Sequence, residues 1–408
     1  MNMQIVARGW LIYDLTRSPV DLAWVTMSFT LPQVVFSLWG GVLADRMEKR
    51  RVIAIAHGLS VIATLWFATI VITDRVVFWD FITFGVFNGT ILALSMPARQ
   101  AFAPELVGEQ LIFNAMALNT ASWNLSRTLG PTLAGILIAV VAHGDTSSTF
   151  GVGIVFYIIA ALYGVSVMSV LMVSQPSVIH PRRDGQSALG DIAEGLRYVR
   201  SHPPVLGLIV LSLMPFLFGM PINTLLPAFN HDVLQGGPDG LGYLLGSMGA
   251  GAIVGSLMMA QMGDLKRKGF WLVATCATWG ALMGVFALAT NLLAAALVIG
   301  VIGWLSAWNM SLNRGLLSTL VSADMRGRIM SIDMMSHGLM PLGIVPISFV
   351  AERAGVPTAL TAAGVIFIVV VMALTLLPSV RGIDRADALP TRAGNAEGSG
   401  SIAGETHA

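Results

Sequence analysis

The chain has 408 residues, 55% of them hydrophobic and only 11% charged, with a mean hydropathy of +0.77. A soluble domain carries roughly a quarter charged residues, so a water-soluble globule is excluded and a chain that fills a bilayer with helices is indicated. The net charge of +1 is uninformative by itself, and the single cysteine, Cys276, leaves neither a disulfide framework nor a thiolate metal site.

A helix needs about 20 apolar residues to cross the hydrocarbon core. The first stretch, MNMQIVARGWLIYDLT over 1–16, is too short to span and reads as the outer part of a helix. Upstream chain of roughly 20 residues is expected to complete it. Full candidates follow at 22–44, 52–73, 77–97, 117–141 and 151–173. Between the first two of these lies GGVLADRMEKRR, from Gly40 to Arg51, with one acid at Asp45 and four cations at Arg46, Lys49, Arg50 and Arg51. Such a loop marks the inner side of a membrane. It is either a purely topogenic cluster or a loop whose Asp45 pairs in one conformation only. Arg46 and Arg50 are suited to hold neighbouring helix ends, whose carbonyls carry partial negative charge.

An ionisable or strongly polar side chain inside a membrane helix is a functional candidate by default. In 117–141, Asn119, Trp123 and Arg127 recur every four residues and share a face. Arg127 either contacts substrate in a central cavity, where a carboxylate or catecholate would suit it, or snorkels and pairs with a neighbouring helix end. Gly130, Pro131 and Gly135 follow it, a set that lets a helix bend and approach a partner closely. Asn88 adds a further amide to the helix before.

The longest polar connection, 175–203, carries Leu189, Ile192, Leu196 and Val199 at helical spacing. It reads as an amphipathic helix on the inner membrane surface, or as a solvated linker. It divides an N-terminal bundle, 1–174, from a C-terminal bundle, 204–380. The second bundle offers spans at 204–227, 240–262, 270–289, 292–313, 329–350 and 357–378. Asn223 lies in the first of them. Trp304 and Trp308 form one face of the fourth, as packing or as part of a ligand cage. Asp333 and His337 are four apart in the fifth, so on a continuous helix they share a face. They form either a proton-carrying pair, since imidazole titrates near neutrality, or a buried hydrogen-bonded pair. Residues 381–408 turn polar and rich in Gly, Ala and Ser, as a disordered tail does.

Assigning alternate loops and the tail to the cytoplasm places 18 Lys and Arg there against three, Arg17, Arg75 and Arg353, on the opposite face. The two halves echo each other weakly: ARQAFAPELVGEQL after Pro97 matches NRGLLSTLVSADMR after Leu312 in a cation, a Leu-Val pair and a polar turn. A repeat of six helices in parallel orientation is the trace of two bundles about a central site. No Walker loop, HExxH, GxSxG or Cys/His cluster occurs, so an enzyme reading, a metal and a cofactor are unsupported.

The 41–50 loop resembles the signature G-x-L-A-D-R-x-G-R-R/K of the major facilitator superfamily of transporters. Gly41, Leu43, Ala44, Asp45, Arg46, Lys49 and Arg50 match it, while Glu48 stands where a second glycine is usual. SRTLGPTLAG at 126–135 looks like the helix-5 motif of exporters in that superfamily, with Ala134 replacing a glycine. GWLIYDLTRSP at 9–19, MPARQAFAPELV at 96–107 and MRGRIMSIDMM at 325–335 resemble the branch that contains the enterobactin exporters and transmembrane secretion effectors. The resemblance implies an all-α membrane protein of two pseudo-symmetric six-helix bundles with both termini cytoplasmic, in a bacterial-type inner membrane. It further implies a monomer that binds no nucleic acid, and whose 41–50 loop latches the bundles in an outward-open state. It implies proton-coupled efflux of a siderophore, macrolide or other small amphipathic molecule by alternating access. Import of a polar metabolite, or a non-transporting sensor, assembly partner or inactive shortened paralogue, stands as the alternative.

Overall fold

Residues 2–107, 112–141, 149–173, 188–262 and 265–387 are described by the computed structural model, and among them every regular element is helical. The first bundle consists of α1 (Asn2–Thr16), α2 (Pro19–Arg46), α3 (Lys49–Ile72), α4 (Phe78–Glu105), α5 (Ile112–Val141) and α6 (Thr149–Met172). After α7 (Ala188–Ser201), the second bundle opens with α8 (Pro203–Met214), a π-turn (Pro215–Gly219) and α9 (Pro221–Asp232), which together make one span. It continues with α10 (Pro238–Gln261), α11 (Lys268–Ala287) and α12 (Leu292–Leu320). Its fifth span is composite: α13 (Ala323–Met335), a 3-10 turn (Ser336–Leu339) and α14 (Met340–Ala354). The sixth is α15 (Val356–Leu374), and α16 (Pro378–Asp387) closes the described chain. Among the described residues, eight helical stretches are long and apolar enough to cross a membrane.

Local chemistry sets several boundaries. Ser18 caps α2, accepting the Asp21 amide at 3.1 Å, with Pro19 at the first helical position. Asn291 caps α12 through the Ala294 amide at 2.9 Å. Gly355, at φ +85°, makes the sharp turn from α14 into α15 that other residues rarely adopt.

The two bundles use the same internal pairing. The second helix packs on the fourth and the third on the sixth: α2 on α4 and α3 on α6, then α10 on α12 and α11 on α15. Phe67 lies at the centre of the first core, stacked on Phe84 at 4.4 Å between ring centroids and edge-on to Phe81 and Phe156. Phe229 and Phe286, also 4.4 Å apart, occupy the second core. The bundles meet along two seams related by the same pseudo-symmetry, α5 against α10 and α2 against α14.

Three expectations need correction. The span expected at 329–350 is broken at 336–339, because Pro341 has no amide for the His337 carbonyl and its ring crowds that carbonyl. The span expected to end at 227 runs to Asp232 through the π-turn. The tail expected to be disordered from 381 begins instead as α16. There Val380 and Ile383 are buried on the second bundle, and the Asp384 carboxylate accepts the Gly269 amide at 2.7 Å. Residues 388–408 lie outside the described residues.

Within 175–203 the amphipathic period does form a helix. On α7, Val199 is buried against the second bundle, Glu194 pairs with Arg328 at 2.8 Å, and Leu196 is exposed. Residues 174–187 lie outside the described chain.

Candidate functional site

The molecule has two unlike ends. One carries the turns after α1, α9 and α14; the other carries the turns after α2, α4, α10 and α12, with the cations Lys49, Arg50, Arg51, Arg99, Lys266, Arg267, Lys268, Arg314 and Arg328 in or near them. We call them the capped end and the basic end.

At the capped end the halves are joined by polar bonds. The Tyr13 hydroxyl on α1 donates to the Asp232 carboxylate on α9. Arg17 bonds the His231 ring, whose Nδ1 lies 2.8 Å from Asp232. Arg17 also pairs with Asp14 at 2.7 Å. The Ser18 hydroxyl donates to Glu352 on α14 at 2.7 Å, and the Val20 amide reaches the same oxygen at 3.3 Å. None of these residues was singled out from sequence as a pair. Tyr13 and Asp232 are 219 residues apart, and no local pattern links them.

Below this cap the seam is built from small residues. A Cβ on Gly135 of α5 would sit 2.9 Å from the Gly242 Cα of α10. The Thr132 hydroxyl reaches the Gly242 carbonyl at 3.3 Å, and a Cβ on Gly249 would meet Thr128. On the other seam Gly338 packs on Val34. The described hydrogen bonds between the halves all lie toward the capped end. Gly130, by contrast, faces α1, where a Cβ would stand 3.0 Å from Asn2. The Gly130, Pro131 and Gly135 group thus serves two close approaches on opposite sides of α5, which runs as one helix through Pro131.

Midway along the molecule, a cavity of about 50 Å³ lies between the halves. Arg127 of α5 lines it from one side; Asp333 of α13, with Asn313 and Arg314 of α12, lines it from the other. Phe216 of the π-turn and Trp279 of α11 supply aromatic walls. Asp333 is 5% exposed and accepts from the Asn313 amide nitrogen at 3.1 Å. The Asn313 carbonyl oxygen and the Trp279 indole nitrogen are buried without a protein partner. A volume of this size holds one or two waters, which satisfy such groups. Two charges named from sequence on separate halves therefore line one cavity, with Arg314 beside them.

The remaining sequence candidates do not converge there. Asn88 lines a separate cavity of about 470 Å³ inside the first bundle, with His57, Ser95 and Arg99 and with Asn2 and Gln4 of the first turn of α1. Trp304 and Trp308 pack on each other at 4.9 Å, Trp308 on Trp271 and Trp304 against Gly255. Trp279, which sequence reasoning passed over, lines the central cavity instead. The Asn223 amide nitrogen contacts the Met220 sulfur at 3.3 Å. Asn119 is exposed. The side chains of Trp123 and His337 lie outside the described ones. The continuous helix on which Asp333 and His337 would share a face is interrupted between them at Ser336.

In the 41–50 loop, the side chains of Gly41, Asp45 and Arg46 are likewise outside the described ones. Lys49 is buried and pairs with Glu105 at the end of α4 at 2.7 Å. Arg50 donates to the Val173 carbonyl just past α6. Arg51 pairs with Glu48 at 2.7 Å. The start of α3 is thereby tied to the ends of α4 and α6, all within one bundle.

A family model described as transmembrane secretion effector matches residues 1–397. The chain is similar to the staphyloferrin A transporter of Staphylococcus aureus, 25% identical over 90% of each chain. It resembles the multidrug efflux pump Tap of Mycolicibacterium fortuitum, 24% identical over 94% of each. The enterobactin exporter EntS of Citrobacter koseri is 28% identical over 71% of this chain and 67% of that one. Among solved structures, a bacterial homologue of the human lysosomal transporter Spinster, inward-facing and unoccupied, superposes with a TM-score of 0.74 at 13% identity over 96% of both chains. The nucleoside transporter NupG gives 0.67 at 16% identity, over 92% of this chain and 96% of that one.

Proposed function

The chain belongs to the transmembrane secretion effector family of major facilitator transporters, and from that premise we propose that it is a proton-coupled exporter of small amphipathic molecules. The observation that carries the reading is the central cavity, which Arg127 and Asp333 line from opposite halves. A carboxylate and a guanidinium at membrane depth are retained for a task. Asp333 is held by one amide and faces room for water, so it can gain and lose a proton. Arg127 competes with that proton for the same carboxylate. Deprotonated Asp333 draws the halves together at this depth; protonated Asp333 releases Arg127 to an acidic substrate group.

The basic end is the cytoplasmic one in this reading, because cations stay inside. The cap at Tyr13, Arg17, Asp232 and Glu352 then closes the outer side, and the arrangement is the inward-facing stage of alternating access. A cavity of about 50 Å³ is too small for a drug-sized molecule, whose pockets run to roughly 300–1,000 Å³. Substrate therefore enters where the halves part toward the basic end. Asp45, with Arg46, Lys49 and Arg50 as anchors, takes the conformation-dependent role in the loop.

The test is counterflow in proteoliposomes with an imposed pH step, using enterobactin or staphyloferrin A, the cargoes named for two relatives, beside a neutral macrolide. Asp333→Asn is expected to abolish uphill export and leave downhill exchange partly intact. Uphill export unchanged in Asp333→Asn would remove this carboxylate from coupling.

A further inference from the structure

We propose that His231 and Asp232, at the end of α9, form a second proton-binding site that operates the outer seam, separate from Asp333. The inference rests on the alternating-access reading above and names what releases its outer gate.

Arg17 Nη1 lies against both nitrogens of the His231 ring, 2.8 Å from Nδ1 and in contact with Nε2. A guanidinium has donors and no acceptor, so the ring nitrogen that accepts from it must present a lone pair. With Nε2 as that acceptor, Nδ1, which is also 2.8 Å from Asp232, donates to the carboxylate. Asp232 in turn accepts the Tyr13 hydroxyl from the opposite half. The closed cap thus requires a neutral imidazole. Trp10 and Tyr13, with ring centroids 6.0 and 5.7 Å away, fix its position.

A proton on His231 removes the lone pair that holds Arg17 and sets two cations against each other. Arg17 has somewhere to go: Asp14, on its own helix, already binds it at 2.7 Å. The cross-half bond from Arg17 is lost while its bond to Asp14 remains, and Tyr13 to Asp232 is left as the hydrogen bond from the first bundle to α9. The site is within reach of outside water, the side chains of Arg17, His231 and Asp232 being 49%, 28% and 44% exposed. The other titratable groups on the elements packed about α9 are Arg8 on α1, Asp21 on α2, Asp239 and Tyr243 on α10, and Glu352 and Arg353 on α14, with Asp45 and Arg46 at the far end of α2. Glu352 is engaged by Ser18 and Val20. An exporter driven by an inward proton gradient meets the higher proton concentration on this side, so the latch opens where protons are abundant.

The test measures opening, not transport. Spin labels on Arg75→Cys and Thr290→Cys, both exposed on the capped end in opposite halves, report the distance across the cap. From about pH 8 to about pH 5.5, either side of the range in which imidazoles titrate, the long-distance population is expected to grow by at least roughly threefold. One linked proton sets a ceiling of about tenfold per pH unit. His231→Gln keeps a donor and an acceptor but takes up no proton; it is expected to stay closed and flat across that range. An unchanged pH response in His231→Gln, or a parent chain that does not open in acid, overturns the site. A cap that opens in Gly135→Ala but not in acid counts against the proton site alone. A cap that opens under neither condition counts against alternating access itself.

Discussion

Replacing Gly135 by alanine isolates the energetics of the α5–α10 seam. The new Cβ would stand 2.9 Å from the Gly242 Cα and closer still to the Pro238 carbonyl oxygen, where ordinary contact starts near 3.4 Å. Both obstacles are backbone, so no rotamer change relieves them and the two helices must part. Overpacking of this kind costs about 1–3 kcal/mol, charged only to the conformation in which α5 and α10 touch. The equilibrium should therefore move toward the parted cap by a factor of about 5–150. The Arg75→Cys/Thr290→Cys label pair reads that shift directly at neutral pH. Gly164→Ala and Gly284→Ala serve as controls, because nothing lies within 4 Å of a Cβ at either position. A Gly135→Ala chain of lowered thermal stability with an unchanged distance distribution would refute the reasoning. The glycine would then serve folding of both conformations equally.

Two further outcomes are expected. Arg127→Ala should weaken binding of acidic or catecholate ligands more than of neutral ones, measured by equilibrium binding to the purified protein; equal losses would make it a packing residue. Glu105→Gln should lower the stability of the first bundle by about 1.5–3 kcal/mol, the worth of a hydrogen bond to a charged group, since it takes the carboxylate from the buried Lys49 ammonium. Thermal unfolding checks this, and an unchanged midpoint would mean that Lys49 draws its stability from its other contacts.

Much of the architecture was legible because bilayer helices announce themselves by length and apolarity, one span at a time. Arg127 and Asp333 could be named for the same reason, each being conspicuous in its own helix. What one helix cannot disclose is which charges face each other, and so the cap of Tyr13, Arg17, His231 and Asp232 went unseen. The break at 336–339 had a visible cause in Pro341, but hydropathy alone ran straight through it. The Trp304 and Trp308 stripe misled because aromatic spacing does not distinguish a cavity wall from a helix contact. Trp279 shares its helix face with Cys276, Met283 and Phe286, a stripe that reads as core and marks no one residue out. The start of α16 was hidden by short length: two apolar residues, Val380 and Ile383, are too few for a period but enough to dock one helix.

The π-turn has a mechanical consequence for the second bundle. Pro215 and Pro221 bracket it, and neither can donate to the carbonyl four residues before it. One of those carbonyls, Leu217, lies against Gly343 of α14, where a side chain would not fit. Flexing the chain here breaks no helical hydrogen bond at those two carbonyls, so this point is softer than the rods on either side. Beyond it, α9 is a 12-residue arm, about 18 Å long at 1.5 Å per residue. A tilt of about 10° at its base carries the tip about 3 Å, which is more than a hydrogen bond tolerates. His231 and Asp232 ride on that tip. A small rotation near the central cavity is thus amplified into a complete change of bonding at the outer rim, and the same lever runs in reverse.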